Sequence, residues 1–185
     1  MTLGPLTDVS AADWFVKADA DAWTKICLGP PGFEAYARLQ LIPADEDDDV
    51  DLTLLCAETL RRILPRHTTT ADDCYFGQWE GSGWEPPIRP AGATFSVMFE
   101  PGPGLRDSLR DYQFFGGTLE DSSAWDGGDP PHLMWPADRA WFVAKDVDPD
   151  WIGVGGTQAL IDAILGAPGI DAAPSAYDAT DWESR

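Results

Sequence analysis

Apolar residues recur along this chain with two distinct periods. In GFEAYARLQLIP, Phe33, Ala35, Ala37, Leu39 and Leu41 alternate with Glu34, Tyr36, Arg38 and Gln40, the period-two pattern of a half-buried strand. In LTLLCAETLRRIL, Leu52, Leu55, Cys56, Leu60, Ile63 and Leu64 instead fall on one face of a helix, predicted over about 52–64. The acidic run ADEDDDVD precedes that helix, and Arg61, Arg62 and Arg66 close it. Both placements complement the helix macrodipole, so the charge asymmetry has a structural explanation.

Further strands are predicted at CYFGQW, ATFSVMFE and YQFFGGTL, aromatic and β-branched runs separated by turn-rich segments such as EGSGWEPPIRPAG and PGPG. RAWFVAKDVD is another strand, and the aromatic run at Asp13 to Val16 reads as a short one. In GVGGTQALIDAILGAPG, Thr157 is a candidate N-cap, and Leu160, Ile161, Ile164 and Leu165 form an apolar stripe that ends at glycine. That pattern predicts a second helix over about 157–166, with GVGG as its entry. Two helices separated by a group of strands predict a single α+β domain on a mainly antiparallel sheet, with a loosely ordered tail from about 172.

Composition adds a sign to the surface. The 185 residues carry 32 acidic against 12 basic side chains, a formal net charge of -20. Such a charge repels nucleic acid and anionic membranes, which a binder must neutralise with Lys and Arg, and it attracts basic partners. The first residues, MTLGPLTDVSAADW, contain no basic and apolar leader pattern, and no later run is apolar enough to span a membrane, so a cytoplasmic protein is expected. Cys27, Cys56 and Cys74 are widely spaced and suit reduced thiols better than a disulfide framework or a zinc site.

Candidate chemistry is sparse. There is no nucleophile elbow, no HExxH, no P-loop and no GxGxxG. Asp146, Asp148 and Asp150 have the alternating spacing of a Ca²⁺ loop, but Trp151 follows where that loop needs glycine, and Thr157 occupies the twelfth position. Beyond this partial Ca²⁺ signature no cofactor is implied. WFVKADADAW and WFVAKDVDPDW echo each other. Read as two strands, they would gather Asp19 and Asp21 with the later aspartates only if they paired side by side. Trp79, Trp84 and Trp135 sit beside Gly and Pro, where aromatic side chains can line a groove or anchor an interface.

MWPADRAWFVAKDVDPDWIGVGGTQALIDAIL together with LGPPGFEAYARL resembles a set of small acidic soluble proteins recurrent in high-GC Gram-positive bacteria. That resemblance implies a free-standing bacterial protein and carries no catalytic residues. The function expected is a non-enzymatic interaction or immunity-type protein that docks a basic partner, the immunity comparison resting on size and charge. The competing expectation is an enzyme or small-ligand protein with a pocket around His132, Trp135 and Arg139, whose guanidinium would suit a carboxylate or phosphate.

Overall fold

The aromatic run at Trp14, expected as a strand, is helical instead. The computed structural model describes residues 2–41, 51–83, 87–88, 92–99, 108–125 and 129–177. It begins with β1 (Gly4–Pro5) and a 3-10 turn, followed by α1 (Asp13–Val16) and α2 (Ala22–Leu28). Trp-Phe-Val has β propensity, but a single helical turn lets both aromatic rings reach the same sheet face, and tertiary contact overrides propensity here. Phe15 stacks on Phe142 with ring centroids 5.0 Å apart, and Trp14 meets Phe142 edge-on at 6.0 Å. The two echoing WFV segments are therefore neighbours, packed helix against sheet rather than strand beside strand.

The chain continues through β2 (Ala35–Gln40), α3 (Leu52–Ile63), β3 (Cys74–Trp79), β4 (Thr94–Phe99), β5 (Ser108–Gly117), β6 (Leu133–Pro136) and β7 (Phe142–Ala144). It finishes with β8 (Trp151–Gly156), α4 (Gln158–Leu165) and β9 (Ala172–Ser175). The strands form one sheet in the order β1-β5-β3-β6-β7-β8-β2-β9, with β4 also paired to β5. Each of these pairings is antiparallel, so the α+β architecture on a mainly antiparallel sheet is as expected.

Helices cover both faces. On one, α3 and α4 bury Cys56, Leu60, Leu160, Ile161 and Ile164 against Leu39, Phe76, Val143 and Val154. On the other, α1 and α2 bury Phe15, Ile26 and Leu28 against Tyr112, Phe114, Trp135 and Phe142. The caps are local and explicit: Asp51 accepts from the Leu54 N–H at 3.0 Å, Asp21 from the Thr24 N–H at 3.1 Å, and Thr157 from the Leu160 N–H at 3.2 Å. Among the described residues no helix is long and apolar enough to cross a membrane.

Two segments depart from expectation for clear reasons. GVGG is not a helix entry but the last four residues of β8, which is buried along its whole length. A Cβ at Gly153 would run into the Cys27 carbonyl oxygen, so glycine here lets the backbone of α2 lie directly on the sheet. Ala172–Ser175, expected in a loose tail, pairs with β2 as an edge strand, and edge positions tolerate a proline such as Pro174. Tyr177 then donates its hydroxyl to the Gly29 carbonyl at 3.0 Å and packs on Tyr36.

Candidate functional site

One end of the sheet concentrates the buried ionisable groups. Arg110, near the start of β5, lies on the same face as Tyr112 and Phe114, because alternate residues of a strand share a face. That places its guanidinium under α2, where it stacks on the Trp79 ring at 4.3 Å and reaches Trp23 and Phe99, each at 5.6 Å. The loop after β7 closes over it: Asp146 accepts from Nη1, and Asp148 accepts from Nη2 at 3.1 Å. Asp146 is sealed, its side chain 1% exposed, whereas that of Asp148 is 58% exposed.

Lys145 and His132 lie at the same end of the sheet, with His132 against the Trp79 ring on which Arg110 stacks. Lys145 is buried, with its ammonium 3.8 Å from Asp129. Burial pushes its pKa down while Asp129, Asp146 and Asp51 act to hold it up. His132 is 1% exposed and accepts at Nδ1 from the Trp79 backbone N–H at 3.4 Å, which leaves the proton of the neutral ring on Nε2. Desolvation, reinforced by the charges of Lys145 and Arg110, holds its pKa down at about 3. The Asp146 carboxyl is displaced upward, because burial outweighs the attraction of Arg110.

Asp146 and Asp148 thus converge as their spacing suggested, but on a guanidinium. No group of three or more His, Cys, Asp or Glu placed to hold a metal occurs among the described residues. Asp150 contributes its backbone carbonyl to the Leu41 N–H. Asp19 and Asp21 lie apart from these, around a separate cleft shared with Lys25 and Met98.

The expected pocket residues do not assemble. Trp135 is sealed in the core, stacked at 5.4 Å on Phe142 and at 5.8 Å on Phe114. His132 and Arg139 flank opposite ends of β6. Arg139 is exposed, adopts a positive φ of 56°, and lies over Trp14 at 5.1 Å. Trp79 and His132 do meet, edge-to-face at 6.3 Å, so part of the predicted set is brought together at the Arg110 end. Trp84 lies outside the described residues.

Arg110 and Lys145 were missed in the sequence. The available signal was parity: Arg110 continues the inward period of Tyr112 and Phe114, and a cation at an inward strand position needs a buried partner. Against known proteins, the chain matches no family model, no curated sequence and no solved structure.

Chemically, this cluster locks the β7–β8 loop onto β5. The three thiols are buried, and desolvation raises the pKa of Cys56 to about 11 and of Cys74 to about 12, which leaves little thiolate for nucleophilic chemistry. The surface next to the lock is different. Met98 and Leu109 sit opposite each other on β4 and β5 and are 60% and 55% exposed. Asp111 follows Leu109 on the same face, and a cleft of about 360 Å³ lined by Asp19, Asp21, Lys25 and Met98 opens beside them.

Proposed function

We propose that this chain is a cytoplasmic, non-enzymatic interaction protein of the immunity type, which docks a basic protein partner through the β4–β5 hairpin. The observation that carries the reading is the exposed Met98–Leu109 pair, set in register on a hairpin of a chain with a net charge of -20. Apolar anchors rimmed by one sign of charge are how many interfaces divide affinity from steering.

The disposition of the cations supports the same reading. Lys17 pairs with Asp13 at 2.8 Å, Lys25 donates to the Val16 and Ala18 carbonyls, Lys145 faces Asp129, and Arg110 is held by Asp146 and Asp148. Arg38 and Arg139 lie over Trp151 and Trp14. Lys17, Lys145 and Arg110 are thus ion-paired within the molecule, and the excess of 32 acidic over 12 basic side chains is left to attract a basic partner. Three free thiols suit a reducing compartment, and the resemblance to small acidic proteins of high-GC Gram-positive bacteria fits a cytoplasmic partner of that kind.

The test is paired retention of proteins from the source cell. Wild type and Met98→Asp/Leu109→Asp are immobilised at ~50 mM salt, where charge attraction is little screened, and washed at higher salt. A basic protein held by wild type, released by salt and not held by the variant is the expected result. Retention of no basic protein, or equal retention by the variant, refutes the assignment.

A further inference from the structure

Two arginines and a histidine line one cleft on the other helical layer, that of α3 and α4. Arg62, in the last turn of α3, and Arg66 and His67, in the 3-10 turn that follows, line a cleft of about 430 Å³. Its other wall is the C-terminal end of α4 and the turn beyond, with Ala163 and Pro168, and Ile63 adds an apolar side chain from α3. It shares no residue with the hairpin surface.

Arg62 donates from Nη2 to Thr59 Oγ1 at 2.9 Å, and among the described residues neither Arg62 nor Arg66 forms an ion pair. In a chain with 32 acidic side chains, two guanidinium groups about one turn apart with no carboxylate between them are conspicuous, because like charges at that spacing repel. The dipole of α3 explains cations in its last turn. The 3-10 turn continues α3 without a break, so the same dipole reaches Arg66 and His67, but it does not explain the apolar wall facing them.

We propose that this cleft is an anion site for a phosphate monoester with an apolar body. Two guanidinium groups match the charge and the forked oxygen geometry of a phosphate dianion better than those of a single carboxylate. Ile63, Ala163 and Pro168 provide the surface for the ester group. The acidic surface elsewhere disfavours a long polyanion, so the ligand is a small molecule.

Calorimetric titration of the full chain at fixed ionic strength tests this with phenyl phosphate, inorganic phosphate and benzoate as probes. Phenyl phosphate is expected to bind most tightly. Arg62→Ala/Arg66→Ala, shown to be folded by circular dichroism, should weaken it at least roughly tenfold, the effect of losing charged hydrogen bonds. Ala163→Trp, which fills the cleft and keeps both cations, should also abolish binding. Absence of binding by wild type, or unchanged affinity in the double arginine variant, overturns the site. Benzoate binding as tightly as phenyl phosphate overturns the dianion assignment, and inorganic phosphate doing so overturns the apolar-body assignment.

Discussion

Replacing His132 with asparagine should remove most of the acid sensitivity of this fold between pH 7 and 5. The imidazole is buried and neutral, with a folded pKa of about 3 against an ordinary value of 6.5. As pH falls through 6.5 the unfolded chain takes up a proton that the folded chain refuses, so stability is full above 6.5 and declines continuously down to about 3. The full displacement corresponds to about 5 kcal/mol, at about 1.4 kcal/mol per unit. Between pH 7 and pH 5 the loss should be about 2 kcal/mol. In His132→Asn the amide oxygen can still accept from the Trp79 N–H but has no proton to gain, so the pH-dependent part should vanish. The cost of the substitution itself should be similar at both pH values. Urea unfolding of both proteins at pH 7 and pH 5 measures the difference, and subtraction cancels carboxylates common to the two, including the oppositely signed contribution of Asp146. If the substituted protein loses as much stability as wild type over that interval, His132 is not a buried neutral imidazole and the description of the sheet end is wrong.

Arg110→Met should destabilise the protein by about 3–5 kcal/mol, because Asp146 is left buried without its counter-charge, whereas Arg110→Met/Asp146→Leu should recover much of that loss. Denaturant titrations of the single and double variants form the cycle that checks it. Gly153→Ala should cost at least about 2 kcal/mol, since the methyl group must push the Cys27 backbone off the sheet. An exposed helical site such as Ala163→Ser, substituted as a control, should change stability by less than about 1 kcal/mol in the same thermal melts.

Much of the frame was legible because its signals are local. The α4 helix could be read from Thr157, the stripe of Leu160, Ile161 and Ile164, and Gly166, all of which act within a few residues of one another. The strand β2 could be read because Ala37 and Leu39 keep one parity toward α3 and α4. What escaped depends on contacts distant in sequence. The glycines of β8 mimic a loop until the approach of α2 is known, and the Trp14 turn becomes helical only because Phe142 is there to receive it. Ala172–Ser175 has almost no apolar pattern and is a strand because β2 offers it an edge. Among the candidate site residues, Trp79 and His132 were found as aromatic and imidazole groups near turns. The partner that organises them, Arg110, was invisible until β5 was extended back to Ser108.

The edge strand β9 also bears on self-association. Its four residues include Pro174, which lacks an N–H, so that margin of the sheet is a poor template for a strand from another molecule. Among the described residues the other margin is formed by β1 and β4, and β4 presents six residues without a proline. A sheet with only one receptive margin can pair with one copy of itself, margin to margin, and the pair then has none left. Growth into a fibre needs two, so the proline in β9 works against open-ended strand addition at that margin.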